Sequence, residues 1–297
     1  MSAAESPPPG AIGRDPGDAW VESPDGRRYW GRFGAAGLLA RDPQRGVLLQ
    51  HRVGWSHFGG TWGIPGGAIQ QGETAVDGAL REAAEESGAP RASLVLQRTS
   101  VLDLGVWSYT TVLAAVREPF EPVIADAESL ELRWVPIDEV EAMPLHPGFG
   151  GSWPALRAML AEPLTLLVDG ANVVGSRPDG WWRDRAGAAA RLAAALGALA
   201  GDGLPAAVLG VGGAHAWPDI ELVLEGAARP AAEREVPGVV QHAAPADGDG
   251  ALVELARERI AEGRRVVTVT ADRGLRERLA AVGASAVGPS ALLDLLG

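Results

Sequence analysis

The feature that most constrains this chain is a glycine-rich loop that leads into a short amphipathic helix, at residues 67–89. Thr74 is predicted to cap the helix, because Asp77 follows three residues later as in a capping box. Gly88, followed by Pro90, is predicted to end the helix. These signals predict a loop and a helix with well-defined ends.

Three glutamates of this helix, Glu82, Glu85 and Glu86, share one face, because positions i, i+3 and i+4 lie close together. Their mutual repulsion costs roughly a few tenths of a kcal/mol per exposed pair. A hard divalent cation removes that cost, and Mg²⁺ prefers carboxylate oxygens together with water and phosphate oxygens. On its own such a triplet is more often a solvated acidic face, so the rest of the pattern decides between the two interpretations.

The spacing of the other residues in this segment resembles that of the Nudix hydrolase family. The family pattern G-x5-E-x7-R-E-U-x-E-E-x-G-U, with U apolar, is matched at every fixed identity. These are Gly67, Glu73, Arg81, Glu82, Glu85, Glu86 and Gly88, and Ala83 and Ala89 fill the apolar positions. The resemblance covers roughly residues 30–160. It implies an α/β/α sandwich that hydrolyses a nucleoside diphosphate linked to another group.

The resemblance also implies roles for these residues. The predicted ligands of a Mg²⁺ or Mn²⁺ ion are Gly67, through its carbonyl, Glu82, Glu85 and Glu86. Glu82 either binds the ion or orients the attacking water, and Glu82 and Glu85 are the predicted catalytic residues. The residues predicted to hold loop and helix together are Glu73, Arg81 and Gly88. In this family water attacks a phosphorus atom, and the cation neutralises the phosphoryl oxygens.

The sequence identifies the general base and the substrate less closely than it identifies the metal ligands. The base varies within the family, and Glu128 and Glu131 are candidates because both precede a predicted strand. Each of the two is more often a simple surface charge. The substrate stays open among ADP-ribose, dinucleotides, oxidised nucleotides and RNA 5′ ends, and a nucleotide is the expected partner.

From about residue 163 the chain changes to strands that alternate with helices. Strands are predicted at 164–169, 206–211, 220–224 and 265–270, and helices at 184–200, 250–262, 274–282 and 290–296. This alternation predicts a parallel sheet covered on both faces. Acids at the carboxyl ends of such strands meet at one edge of the sheet, where binding sites usually lie.

Three segments of this half, VDGANVVG, DGDGALVELA and VTVTADRGL, resemble the PIN-like/NYN ribonuclease family. The resemblance implies a Rossmann-like three-layer domain with a parallel sheet, and RNA as a partner. The site residues that it implies are Asp169, Asn172, Asp249 and Asp272. A further acid stays open among Asp184, Glu225 and Asp247, and Gly250 stands where relatives often have a second acid. Asp and Asn at strand ends also form ordinary turns and caps.

Composition limits the partners of this chain. The net charge is −12, so bulk attraction does not hold a polyanion, and metal ions must screen any bound phosphates. The absence of cysteine excludes a disulfide framework, a thiol nucleophile and Cys-ligated zinc. The sequence has neither a long apolar run nor a signal-peptide pattern, so it predicts no membrane partner and a cytoplasmic location.

We therefore predict a disordered tail over residues 1–28, a Nudix domain over 29–162 and a PIN-like/NYN domain over 163–297. The predicted function is metal-dependent release of a nucleoside monophosphate from a nucleoside diphosphate linked to another moiety, joined to a ribonuclease. Two alternatives stay open. One is RNA 5′-end processing by phosphate or cap removal followed by cleavage, and the other is nucleotide sensing without turnover. A homodimer is expected from the resemblance to the Nudix family alone.

Overall fold

The computed structural model describes residues 15–177 and 180–296. These residues form two compact units, one of residues 15–95 and 101–152 and the other of residues 96–100 and 153–296. The division falls before the domain boundary predicted at residue 162. None of the described helices combines the length and the apolar character that crossing a bilayer requires.

A small hairpin lies within the stretch for which the sequence predicted disorder. β1 (Trp20–Glu22) and β2 (Arg28–Trp30) pair antiparallel, with Trp20 opposite Trp30. Tyr29 stacks on Trp107 at 4.9 Å, and Trp107 Nε1 donates to the Trp30 carbonyl. These long-range contacts order the hairpin, which corrects the prediction for residues 15–28. Residues 1–14 of the predicted tail lie outside the described residues.

β3 (Ala35–Asp42) and β4 (Gly46–Arg52) pair antiparallel and form a hairpin. Asp42 accepts the backbone N–H groups of Gln44 and Arg45, which closes the turn. Gly46 ends the turn at φ 99°, a conformation that favours glycine.

Five further strands lie between residues 62 and 135. They are β5 (Trp62–Gly63), β6 (Gly66–Ala68), β7 (Leu94–Asp103), β8 (Ser108–Val116) and β9 (Ser129–Val135). β3 pairs parallel with β8 and antiparallel with β6, while β4 pairs antiparallel with β5 and β9. Leu38, Leu39, Leu48, Leu49 and Leu113 are fully buried on these strands.

Two helices accompany these strands, α1 (Ala75–Ser87) and α2 (Pro147–Ala161). The predicted ends of α1 are confirmed: Thr74 accepts the Asp77 N–H, and Gly88 follows the last turn at φ 66°. Ala79 and Ala83 are fully buried, so the apolar face of α1 packs inward as expected. Because β6 leads into α1, the glycine-rich loop and the acidic helix lie side by side.

The second unit contains a five-stranded sheet in which every described pairing is parallel. The elements from residue 164 onward are β10 (Leu164–Asp169), α3 (Gly170–Gly175), α4 (Arg185–Asp202), β11 (Leu204–Pro205), β12 (His215–Ala216), β13 (Asp219–Leu224), β14 (Val239–Ala243), α5 (Gly248–Ala261), β15 (Arg265–Val269), α6 (Arg273–Ala281), β16 (Ser285–Val287) and α7 (Pro289–Leu296). The parallel sheet predicted from the alternation of elements is confirmed.

The strand order of this sheet is β14-β13-β10-β15-β16. Leu166 and Val168 pack in one core, whereas Leu167 packs in another, because neighbouring residues of a strand point to opposite faces. The chain order reverses direction between β10 and β15. Ligands of open α/β sheets bind at the carboxyl ends of the strands at such a point.

One predicted strand of the second unit is wrong. Residues 206–211 were expected to be a strand, whereas Ala206–Leu209 form a 3-10 turn that ends at Gly210 with φ 63°. A short apolar run does not distinguish a strand from a helical turn.

A buried ionic cluster links two strands and a helix of the second unit. Glu221 on β13 is 4% exposed and accepts hydrogen bonds from Arg259 Nε at 2.6 Å and from His242 Nε2 at 2.7 Å. Burial by itself raises the pKa of the Glu221 carboxyl, but the hydrogen bonds from His242 and Arg259 outweigh it and lower that pKa to about 2. Because the buried carboxylate is paired with two groups, removing it would leave partly buried charge without compensation.

Candidate functional site

The loop at β6 and the helix α1 meet through the carboxylates of the predicted metal site. Glu86 is buried, and its Oε2 accepts the Gly66 N–H at 2.8 Å. A Cβ atom at Gly67 would lie 2.7 Å from Glu82 Oε1. A side chain at position 67 would therefore displace the Glu82 carboxylate, which gives Gly67 a steric reason to be glycine.

Arg81 connects the loop to the helix. Its Nε and Nη2 donate to the two oxygens of Glu73 at 2.9 and 3.0 Å, and Nη2 also donates to the Ala68 carbonyl at 3.0 Å. Nη1 donates to Glu82 Oε1 at 2.8 Å and to Glu85 Oε2 at 3.1 Å. One guanidinium thus orients two of the predicted ligands. The Glu85 side chain is 60% exposed, whereas that of Glu82 is 16% exposed.

The structure brings Glu86 together with two acids from the segment before β9. Oxygen atoms of Glu86, Asp126 and Glu128 all lie within 4.8 Å of one another. Ser129 Oγ donates to Asp126 Oδ1 at 2.9 Å and accepts from Gln50 Nε2 at 2.8 Å, which holds Asp126 in place. This is the one group of three such side chains among the described residues. Glu82 and Glu85 do not belong to it.

The sequence predicted Glu128 as a candidate general base, whereas Asp126 was not predicted as a site residue. The one indication in the sequence was that Asp126 and Glu128 lie just before β9. Acids are common in turns, so this position alone does not predict a site. Glu131, the other candidate base, lies on β9 with its side chain 49% exposed and 3.6 Å from Arg133. The structure therefore separates the two candidates: Glu128 adjoins the acidic helix, and Glu131 does not belong to the group.

The three side chains of this group are all carboxylic acids, and their environment raises the pKa of two of them. Burial, followed by repulsion from Glu82, raises the pKa of Glu86 to about 8, against the stabilising hydrogen bond from Gly66. Burial also raises the pKa of Glu128. The donor set consists of hard carboxylate oxygens, which suit Mg²⁺ or Mn²⁺. The residues present therefore fit a divalent cation.

A consequence for stability follows from Glu86. Without a divalent cation, we expect the thermal stability of the first unit to fall as the pH rises from about 4.5 to about 8. Below that window the carboxyl is protonated in both the folded and the unfolded chain, whereas inside it only the folded chain holds the proton. Thermal melts in EDTA between pH 5 and pH 8.5 measure the effect. A saturating divalent cation should abolish the decline, because it binds the folded form. An unchanged pH dependence in Glu86→Gln would contradict this explanation.

Four aromatic side chains of the first unit differ in their exposure. Trp62 is buried, stacked on His51 at 4.7 Å and covered by Arg133, and Trp107 is stacked on Tyr29. Trp55 and Phe58 are exposed, by 61% and 46%. Trp55 and Phe58 therefore have accessible surface.

In the second unit, the end of β10 is hydrogen-bonded to the segment that follows β15, and Asp169 and Asp272 cap the helices α3 and α6. Asp169 accepts the Asn172 N–H at 3.0 Å and the Thr270 hydroxyl at 2.9 Å. Asn172 Oδ1 accepts the Ala271 N–H at 2.8 Å, next to Asp272. Burial raises the pKa of Asp169, although the hydrogen bonds from Asn172 and Thr270 oppose this effect.

The remaining acids of the second unit have different roles. Burial, and then the charge of Asp272, raise the pKa of Asp249, and Asp249 pairs loosely with Arg278 at 3.4 Å. Of the three acids left open, Glu225 accepts the Gly248 N–H and Asp247 caps α5 nearby. Asp184 caps α4 instead.

Comparison with known proteins covers the N-terminal part of the chain. A family model described as the NUDIX domain matches residues 31–157. A Mycobacterium tuberculosis protein named "Putative 8-oxo-dGTP diphosphatase 3" is 49% identical over 154 residues, which are 48% of this chain and 70% of that protein. A Bifidobacterium longum protein named "Nucleoside triphosphate pyrophosphatase/Nudix hydrolase fusion protein" is 43% identical over 166 residues, 53% of this chain and 34% of that protein.

One solved structure shows the same level of identity. The crystal structure of the Mycobacterium smegmatis Nudix hydrolase RenU is 49% identical, with a TM-score of 0.45, and the match covers 49% of this chain and 96% of that one.

Proposed function

The chain belongs to the Nudix hydrolase family, whose members hydrolyse phosphoanhydride bonds, and we propose that its reaction needs Mg²⁺ or Mn²⁺ and releases a nucleoside monophosphate. The observation that carries the proposal is the group formed by Glu86, Asp126 and Glu128 at the end of the acidic helix. An oxidised nucleoside triphosphate is the first substrate to test, because the relative from M. tuberculosis is named for 8-oxo-dGTP.

In the proposed reaction Glu86 and Asp126 would hold the cation, and Glu82 and Glu85 of the same helix would complete the set of ligands. When bound, the cation neutralises phosphoryl oxygens and lowers the pKa of coordinated water. The protein itself holds its carboxylates in position through Arg81 and the Gly66 N–H. These contacts exist before substrate arrives, so little reorganisation is needed during the reaction.

Glu128 is the proposed general base. Its carboxylate adjoins Glu86, and burial raises its pKa toward the range in which a carboxylate accepts a proton efficiently. Glu131 is exposed and near Arg133.

We expect Glu128→Gln to reduce kcat by about a hundredfold, the usual scale for loss of a general base. Glu131→Gln, the matched control, should stay within about twofold of the wild type, as expected for a surface substitution. Steady-state rates across pH 6–9 measure both. Equal activity of the two variants would contradict this assignment. A large loss in Glu131→Gln alone would identify Glu131 as the base instead.

The substrate is identified by a panel containing 8-oxo-dGTP, normal dNTPs, ADP-ribose, dinucleotides, capped RNA and 5′-triphosphorylated RNA, with either cation. Product analysis should show a nucleoside monophosphate that disappears in Glu85→Gln. Turnover of capped or 5′-triphosphorylated RNA alone would favour RNA 5′-end processing. Tight nucleotide binding without any turnover would favour a sensor.

For the second unit we propose a PIN-like/NYN metal-dependent ribonuclease. The supporting observations are the hydrogen bonds of Asp169 and Asn172 with Thr270 and Ala271, just before Asp272, where the strand order reverses. Incubation with single-stranded RNA and Mn²⁺ should give cleavage that is lost in Asp169→Asn and kept in Glu85→Gln. Cleavage that survives Asp169→Asn would count against the proposal.

A further inference from the structure

An exposed aromatic residue of the first unit has an unfavourable backbone conformation. Phe58 lies in the loop between β4 and β5, and its φ is 55°. Within the part of the chain that the structure describes, it is the one residue other than glycine with a positive φ, which is unfavourable for a bulky side chain. Phe58 is 46% exposed, so its ring is not needed to fill the core. Strain of this kind is typical of segments that hold a ligand.

Hydrogen bonds keep the loop in this conformation. The Thr61 hydroxyl donates to the Phe58 carbonyl at 2.6 Å, and Arg52 Nε donates to the His57 carbonyl at 3.3 Å. The Gly60 N–H donates to the Arg52 carbonyl at 2.9 Å, which closes the loop on the end of β4. The protein therefore sets the position of Phe58 before any ligand binds.

Two imidazole rings contact the Phe58 ring. The centroid of the Phe58 ring lies 4.2 Å from that of His57 and 4.9 Å from that of His146, and the rings of Phe58 and His146 are perpendicular within a few degrees, at 85°. Burial lowers the pKa of His146 to about 4, and the charge of Arg52 adds to this effect, so the His146 imidazole is neutral at neutral pH. A neutral aromatic surface suits the planar base of a nucleotide and not its phosphates.

The loop adjoins Glu128 of the three-carboxylate group. The Val53 N–H, at the start of the loop, donates to the Glu128 carbonyl at 3.0 Å. A Cβ atom on Gly59 would lie 2.4 Å from the Val53 carbonyl oxygen, so the residue that follows Phe58 packs directly on Val53. Backbone contacts thus lead from Glu128 to Phe58 through Val53. A base that stacks on Phe58 would belong to a nucleotide whose phosphates lie on the side of Glu128.

We propose that Phe58 is the stacking surface for the base of the nucleotide substrate and thereby determines which phosphoanhydrides the hydrolase site accepts. The inference rests on the proposed function and deepens it, because it requires a substrate with a free planar base. Stacking of a base on an aromatic side chain contributes roughly ten- to a hundredfold in affinity. A ring that is already held in place loses little conformational entropy when the base binds. Phe58 takes no part in the chemical step, so it contributes to substrate binding and not to kcat.

The test compares Phe58→Asn with Phe58→Tyr and with the control Trp55→Asn. Phe58→Asn removes the ring and keeps the backbone conformation, because asparagine tolerates the left-handed region. Phe58→Tyr keeps the ring, and Trp55→Asn removes a ring that is 61% exposed from the same loop. Calorimetry with Mg²⁺ measures the binding of dGMP and of inorganic pyrophosphate, which has no base, to the full chain. Steady-state rates with 8-oxo-dGTP and thermal melts are measured in parallel.

We expect Phe58→Asn to weaken dGMP binding by about tenfold or more and to raise the KM for 8-oxo-dGTP by a similar factor. Its kcat and its affinity for pyrophosphate should stay within about twofold of the wild type, and its melting temperature should not fall. Phe58→Tyr should keep the dGMP affinity. Trp55→Asn should stay within about twofold of the wild type in every measurement, as expected for a surface substitution.

Equal dGMP affinity in the wild type and Phe58→Asn overturns the inference, as does a wild type that does not bind dGMP. An equal loss of dGMP and pyrophosphate binding also overturns it, because that result indicates a changed loop and not a lost stack. A loss in Trp55→Asn alone would assign the base to Trp55. Binding of dGMP that depends on Phe58 in a protein without phosphoanhydride hydrolysis would support the inference and refute the proposed function, so the two failures are distinguishable.

Discussion

Replacing Glu86 with glutamine is expected to lower kcat/KM for phosphoanhydride hydrolysis by at least about a hundredfold, since a bound cation supplies several kcal/mol of charge stabilisation. Glu86 is the buried member of the three-carboxylate group, and an amide oxygen binds a hard cation less strongly than a carboxylate does. The metal-free protein should not lose stability at neutral pH, because the substitution removes a buried carboxyl whose pKa is raised to about 8.

The variant is measured in two ways, by steady-state rates at several Mg²⁺ concentrations and by thermal melts in EDTA. Glu118→Gln, at an exposed position after β8, is the matched control and should leave both unchanged. A large loss of activity without a loss of metal-free stability identifies Glu86 as a functional residue. Wild-type turnover in Glu86→Gln would contradict the assignment, and a strongly lowered melting temperature would indicate a structural role.

Replacing Glu221 with alanine is expected to lower the free energy of unfolding of the second unit by about 3 kcal/mol, the scale for breaking a buried ion pair. The loss leaves Arg259 and His242 without their shared partner in a mostly buried environment. Because the pKa of Glu221 is lowered to about 2, its stabilising contribution is present above the unfolded pKa near 4.5 and is lost as the pH falls through about 2.

Scanning calorimetry measures this effect, since the two units can unfold in separate transitions. Glu254→Ala is the control: its side chain is 65% exposed and pairs with Arg257, so its removal should cost less than about 1 kcal/mol. A Glu221→Ala protein that melts like the control would show that the cluster contributes little.

The acidic helix could be predicted because its signals are local. Thr74, Asp77 and Gly88 set its ends, and the spacing of Glu82, Glu85 and Glu86 places them on one face. Asp126 could not be predicted, since it reaches Glu86 only through the fold of the segment before β9. Asp126 lies outside the helix, and its spacing from the helix glutamates does not indicate that it belongs to the site.

The N-terminal segment shows a second limit of local signals. Its proline, glycine and serine content predicted disorder, yet Tyr29 stacks on Trp107 and Asp15 binds the loop at Gln71. Amino-acid composition does not predict contacts between residues so far apart in the sequence.

In the second unit the parallel sheet followed from the alternation of strands and helices. The pairing of Glu221 with Arg259 did not, because a charged residue inside an apolar strand does not identify its partner.

The most direct test of the central claim is product analysis of 8-oxo-dGTP and the other phosphoanhydride substrates with Mg²⁺ and with EDTA, for the wild type and Glu86→Gln. We expect a nucleoside monophosphate that appears with the wild type and Mg²⁺, and is reduced at least about a hundredfold by either EDTA or the substitution. Equal product release in EDTA, or in Glu86→Gln, would contradict it.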